Sequence, residues 1–224
     1  MEQHLSFVHT MRPAAREANA PGTRPPLLVL LHGVGANERQ MASIAPGFDP
    51  RFVVASVRSP LTMGPDAFGW FHVTFTANGP VIAEEEASSA WARIARFADE
   101  AVRAYGADPA RVYVGGFSQG GIVALTALLT APDTFAGAFC LSGRLLPEVL
   151  PHVADEHVIG KPALIVHGEH DSKLGVNLAR WARAQLEQVR IDLTYRELPI
   201  GHELTHESVS EAATWLTTQL GSAH

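Results

Sequence analysis

Ser118 stands among glycines in GGFSQGG, residues 115–121, where Gly116-Phe117-Ser118-Gln119-Gly120 fits the pattern G-x-S-x-G. A serine hydroxyl is a weak nucleophile until a base takes its proton and a third group holds that base in the right tautomer. Two later stretches offer such groups. ALIVHGEHDSKLG places Glu169 and Asp171 just past an apolar run, and YRELPIGHELTHE places His202 just past another. A histidine oriented by a carboxylate and facing a serine supports attack on a carbonyl carbon. Of the two acids Asp171 is the expected partner, because a short side chain fixed in a turn can hold one ring nitrogen while the other faces Ser118. Glu169 is expected to meet solvent or cap a neighbouring N–H.

Attack on a carbonyl also needs donors for the oxygen that becomes negative. LLVLLHGVGANE leaves an apolar run through His32-Gly33-Val34-Gly35, where glycines allow backbone N–H groups to approach a ligand. The N–H groups of Val34 and Gln119 are the expected pair, with an ordinary strand-to-helix turn as the alternative reading of this loop. Leu61, Met63, Trp70, Phe71 and Leu174, together with Leu145 and Leu146, are candidates to line an acyl groove; core packing is the alternative for each. His32 and His167 each precede a glycine at the end of an apolar run, which suits a structural hydrogen bond better than catalysis.

A rival is written in the same region. HELTH, residues 202–206, fits H-E-x-x-H, in which two histidines one helical turn apart bind zinc beside a glutamate base. On that reading His202 and His206 are ligands and Glu203 is the base of a metallohydrolase. Pro199 and Gly201 count against it, since they place His202 in a loop, off the helix that would align it with His206. A hydrolase-like fold used only for binding is a third reading.

These residues have to be carried by elements, and the pattern of elements is regular. LSFVHTM, PLLVLLH and FVVASV read as strands, the second continuously apolar as in a sheet covered on both faces. Between the first two, residues 12–25 read as a surface loop. EEEASSAWARIARFADEAVRAYG reads as a long helix closed by Gly106, its apolar stripe running Ala87, Trp91, Ile94, Ala98, Val102, Tyr105. RVYVGG is a strand and QGGIVALTALLT a helix, so G-x-S-x-G falls between strand and helix, the setting of a nucleophile elbow. AGAFCLSG and ALIVHG follow as strands, then the helix GVNLARWARAQLEQV, the strand DLTYREL and a last helix over about 204–220. Alternation of this kind implies an α/β fold with a mostly parallel central sheet, helices on both faces, and ligands at the carboxyl ends of the strands. A chain of 224 residues suits one domain, residues 1–224.

Lys plus Arg number 17 against 23 Asp plus Glu, a net charge of −6, and the arginines form no basic stripe, so nucleic acid is not an expected partner. The acid run Glu84-Glu85-Glu86 suits the first turn of a helix. No apolar run approaches membrane-spanning length and the opening MEQHLSFVHT lacks the features of a signal peptide, which leads to an expected cytoplasmic location without integral membrane association. Cys140 is the single cysteine and reads as core.

Taken together, LHGVGANE, GWF, VYVGGFSQGG, AGAFCLSGRLLP, HGEHDSKLG and GHEL resemble, in order and spacing, the carboxylesterase and phospholipase family of α/β-hydrolases, which includes the acyl-protein thioesterases. The resemblance covers nearly the whole chain. It implies Ser118 as nucleophile, Asp171 as orienting acid, His202 as base, and Val34 and Gln119 as oxyanion donors, with no cofactor. It also implies a small ester or acyl substrate and a monomer or homodimer. The chain departs from many relatives at Ala36 and Asn37, where an acid is common, at His72, where an aspartate is common, and at Gly175, where a proline is common. All lie in loops that shape the substrate mouth.

Overall fold

The computed structural model describes residues 5–15, 20, 22–76, 79–154 and 156–221. In chain order the strands are β1 His9–Arg12, β2 Leu27–Leu31, β3 Val53–Val57, β4 Leu61–Gly64, β5 Ala67–Gly69, β6 Val73–Thr76, β7 Gly79–Ile82, β8 Val112–Phe117, β9 Gly137–Leu141, β10 Pro162–Gly168 and β11 Asp192–Leu198. The helices are α1 Glu38–Ile44, α2 Glu84–Tyr105, α3 Gln119–Thr130, α4 Val176–Gln188 and α5 His206–Gln219.

Seven strands make the central sheet in the order β1-β3-β2-β8-β9-β10-β11. β1 runs antiparallel to β3 and every other pairing in this sheet is parallel. Alternate residues of each strand feed two cores. Leu27, Val29, Leu31, Val112, Val114 and Cys140 pack with α2, α3 and α4, whereas Leu28, Leu30, Tyr113, Phe139, Leu164 and Val166 pack with α1 and α5. That two-sided cover explains why β2, β8 and β9 are apolar at every position.

The chain leaves β2 towards β3 on one side and later returns to place β8 on the other. The sheet therefore reverses its winding at β2, and the carboxyl ends of β2 and β8 open on a common crevice. α3, which follows β8, is buried from Gln119 to Leu129, so the helix behind Ser118 is walled in by protein on all sides.

Several expectations change. The first strand is shorter than LSFVHTM and lies over His9–Arg12, ending where Arg12 pairs with Val54. Part of the expected surface loop, residues 16–19 and 21, lies outside the described residues. The last helix begins at His206, two residues later than expected, because Thr205 caps it: its side chain accepts from Ser208 N–H while Ser208 Oγ accepts from Thr205 N–H. Two antiparallel pairs, β4 with β5 and β6 with β7, stand between β3 and α2, where no strand was expected. α2 ends at Gly106 as expected, in a left-handed conformation (φ 65°) that glycine adopts without strain.

Candidate active site

β8 ends at Phe117 and α3 starts at Gln119, so Ser118 alone makes the turn, with φ 52° and ψ −118°. A positive φ is strained for a side-chain-bearing residue and is held only where neighbours over-determine it. Here the neighbours are backbone. A Cβ at Gly116 would lie 2.5 Å from the Leu31 carbonyl oxygen, and one at Gly120 would lie 2.1 Å from the same atom. β2, β8 and α3 thus approach more closely than any side chain permits. Ser118 N–H donates to Leu141 O at 2.8 Å, which ties the turn to β9.

His202 lies on the loop after β11, and its Nε2 is 2.9 Å from Ser118 Oγ. Its Nδ1 is 2.7 Å from Asp171 Oδ2. Since a carboxylate only accepts, Nδ1 carries the proton and Nε2 faces the serine with its lone pair, the tautomer a general base requires. Asp171 is buried on the loop after β10, where its Oδ1 accepts from Lys173 N–H and Leu174 N–H, each at 2.8 Å. Glu169 is exposed, as expected. The two loops abut: Glu169 N–H donates to Leu198 O at 2.8 Å and His170 N–H to Ile200 O at 3.1 Å. The Phe117 ring packs on the His202 imidazole at 5.1 Å between centroids, backing it from the strand side.

On the opposite flank the loop after β2 carries Val34. Among the described residues, the backbone N–H groups of Val34 and Gln119 donate to no protein acceptor. Both stand beside the elbow, since a Cβ at Gly33 would lie 3.4 Å from Ser118 Cβ. His32 holds this loop from beneath: Nδ1 donates to Gly33 O at 2.7 Å and Nε2 accepts from Ser59 N–H at 3.0 Å. Burial lowers the His32 pKa, which agrees with a neutral ring serving as both donor and acceptor.

The sequence reading used only the backbone of Gln119 and missed its side chain. Gln119 Oε1 accepts from Trp70 N–H and Nε2 donates to Phe71 O, both at 2.7 Å, and Trp70 Nε1–H donates to His32 O at 2.9 Å. One amide therefore locks the 70–71 segment, and Trp70 in turn holds the loop that presents Val34. The adjacency of Gln to the G-x-S turn was visible in the sequence, but its partners lie about fifty positions away.

This arrangement corrects the expected groove wall. Trp70 and Phe71 are 1 % and 2 % exposed, drawn inward by Gln119 into the core beside Phe7. Leu145 and Leu146 are buried core residues as well. Leu61, Met63 and Leu174 are partly exposed and remain candidates for the mouth. Val34 is 54 % exposed, and its Cγ2 and Met63 Cε converge on Gly69. Leu61 and one edge of Trp70 border a cleft of about 200 Å³ with Glu85, Glu86 and Arg93 of α2. The departures found in sequence have local roles: Asn37 caps α1 through Arg39 N–H, Gly175 is the N-cap of α4, and His72 Nδ1 pairs with Glu86 at 2.9 Å.

The zinc reading of HELTH does not fit. His206 is exposed at the first position of α5 and His202 is off that helix, so the two imidazoles do not share a face. Both ring nitrogens of His202 are already engaged, by Ser118 and Asp171. Among the described residues, no three His, Cys, Asp or Glu side chains gather as a metal-ligand set.

A doubly covered, mostly parallel sheet with serine, aspartate and histidine converging from the loops after β8, β10 and β11, in that chain order, is the architecture of an α/β-hydrolase. Within that class the chain belongs to the phospholipase/carboxylesterase family, whose model matches residues 17–220. It is 27 % identical over 208 residues to a probable carboxylesterase of Oryza sativa subsp. japonica, across 85 % of this chain and 86 % of that protein. Acyl-protein thioesterase 1 of Gibberella zeae is 30 % identical over 119 residues, which span 50 % of this chain and 49 % of that protein. The Bacillus cereus carboxylesterase structure superposes with a TM-score of 0.80 at 22 % identity, covering 96 % of this chain and 95 % of that one, a likeness of fold.

Proposed function

We propose that the protein is a serine hydrolase that cleaves carboxylic esters through an acyl-enzyme. Membership of the family makes it a carboxylic ester hydrolase; the triad and its intermediate are the finer reading. The observation that carries it is the unbroken line from Ser118 Oγ to His202 Nε2 at 2.9 Å and from His202 Nδ1 to Asp171 Oδ2 at 2.7 Å.

In this reading His202 Nε2 takes the Ser118 proton as Oγ attacks the carbonyl carbon, and the Val34 and Gln119 N–H groups receive the resulting oxyanion. The imidazolium, held by Asp171, then protonates the leaving alcohol as the C–O bond breaks. Water attacks the acyl-serine, His202 takes its proton and returns it to Ser118 Oγ, and the acid departs. The chemistry needs no cofactor. Thioesters and lysophospholipids present the same acyl carbon and belong to the candidate range, with Leu61, Met63 and Leu174 as the residues nearest the incoming chain. Action in the cytoplasm, as a monomer or homodimer, completes the proposal. No helix among the described residues is long and apolar enough to cross a membrane.

A fluorophosphonate probe tests the reading directly. It is expected to label the protein once, on Ser118, and Ser118→Ala is expected to lose both label and esterase rate. Label on another residue, or an active Ser118→Ala protein, would overturn the proposal. Chelator treatment addresses the zinc alternative: the rate is expected to be unchanged, and His206→Ala is expected to be mild where His202→Ala is inactive.

A further inference from the structure

Among the described residues two histidines are fully buried; His32 holds the Val34 loop, and His167 is left without a role. His167 stands on β10, two residues before Glu169, and its side chain is 0 % exposed. Its Nε2 is 2.7 Å from Leu174 O and 3.5 Å from Asp171 Oδ2. A carbonyl oxygen can only accept, so Nε2 carries the ring proton. Glu197, opposite His167 in the parallel register of β10 and β11, is not its partner: that carboxylate accepts from Arg180 and from Tyr195 Oη.

The bond to Leu174 O closes a ring. Leu174 N–H and Lys173 N–H both donate to Asp171 Oδ1, Asp171 N–H donates to Gly168 O at 3.2 Å, and Gly168 is joined by the chain to His167. Every link but one is local to residues 168–174. The exception is the imidazole of His167, which fixes the far end of the turn to the sheet and carries its N–H along the side of Asp171 Oδ2, the oxygen that meets His202.

We propose that His167 is a positioning residue for the orienting carboxylate: its Nε2–H pins the 171–174 turn through Leu174 O and so holds Asp171 Oδ2 on line with His202 Nδ1. The inference rests on the triad reading given above. Without the pin, Asp171 keeps its two backbone donors but the turn carrying them can shift, and a displacement of about 1 Å in such a constellation can reduce turnover by about a hundredfold.

Three variants test it, with folding checked by circular dichroism. Gln places an amide nitrogen where Nε2 stood, Asn places one too near the backbone to reach Leu174 O, and Leu has no donor. His167→Gln is expected to keep kcat within about threefold of the parent, whereas His167→Asn and His167→Leu are expected to lose about 30- to 100-fold in kcat with KM little changed. The acid limb of their kcat/KM profile is expected to move to lower pH, because an imidazolium that has lost its aligned carboxylate is less stabilised. If Leu is not tolerated in this buried position, the Gln and Asn pair decides alone. Parental kcat in folded His167→Asn, or a loss that Gln does not restore and that leaves the acid limb in place, would overturn the inference. Asp171→Asn is assayed alongside: an active Asp171→Asn would bring down the triad reading and this inference with it, whereas an inactive one beside a fully active His167→Asn would bring down this inference alone.

Discussion

Asp171 and His202 are held by bonds that stay within a few residues of each loop, together with contacts between adjoining strand ends; Val34 is held by contacts that reach across the molecule. Behind Ser118, glycines let three backbones meet, and behind Asp171 the turn accepts its own N–H groups. The Val34 loop is instead stitched to β5, Gly35 N–H to Phe68 O at 2.8 Å and Phe68 N–H to Ala36 O at 2.9 Å. Arg58 braces that seam, 4.7 Å over the Phe68 ring and paired through two nitrogens with Glu38 at 2.6 and 2.7 Å. Gln119 and Trp70 complete the bracing. The proposed acid–base half therefore owes its geometry to short motifs, and the proposed oxyanion half to side chains whose partners lie some twenty to fifty residues away.

Replacing the carboxylate is the severest test of the first half. Asp171→Asn is expected to fold normally and lose about three to four orders of magnitude in kcat, by analogy with the serine protease triad, because an amide favours the wrong tautomer of the base. Glu169→Gln is expected to stay within about tenfold. Steady-state kinetics giving the reverse order would reassign the acid and dissolve the contrast between the two halves.

The second half is probed by Gln119→Met, which keeps the backbone N–H but removes both side-chain bonds to the 70–71 segment. A fall of about 10- to 100-fold in kcat is expected, with KM less affected, since the oxyanion donors act on the transition state. An unchanged kcat would mean that the Val34 loop is held without this bracing.

Smaller effects are expected further out. The Arg58 guanidinium holds the Glu38 carboxyl below the usual carboxylate range, against the opposing effect of burial. Stability from this pair is therefore full above the usual glutamate value of 4.5 and is lost as pH falls below it. Glu38→Gln is expected to lower unfolding free energy by about 1–2 kcal/mol at pH 7, a gap that narrows in urea titrations as pH falls below 4.5 and the carboxyl takes its proton. A gap that persists at low pH would point to packing in place of charge. Smallest is Met63→Ala, expected to reduce the preference for longer p-nitrophenyl esters over acetate by about fivefold, at about 1 kcal/mol of lost apolar contact. An unaltered chain-length profile would remove Met63 from the mouth.

The same division governs what could be read from the sequence. Strand and helix order, the elbow and the acid–base loops were legible because β-branched runs, glycine clusters and loop position are local signals; Gly106 and DLTYREL fell where expected. β4 to β7 were not legible. They are short and form two-stranded pairs outside the central sheet, and three- or four-residue runs are too brief for a period to separate a small hairpin from a loop. For Trp70 the sequence left groove wall and core packing both open, because a loop tryptophan has no local sign of burial; its inward place follows from Gln119, which a single sequence does not connect to it.

Cys140 gives the scaffold a practical property. Its sulfur fills the space beside two glycines of the elbow region: a Cβ at Gly121 would lie 2.8 Å from Sγ and one at Gly143 would lie 2.5 Å from it. Enclosure pushes the thiol up to about 12, so at neutral pH it is neither reachable nor ionised enough for alkylation. Because it is also the chain's single cysteine, the folded protein is silent towards maleimides as it stands. A cysteine introduced at an exposed position such as Ser89 at the cleft edge would then take a fluorophore alone, with the native Cys140 left in place.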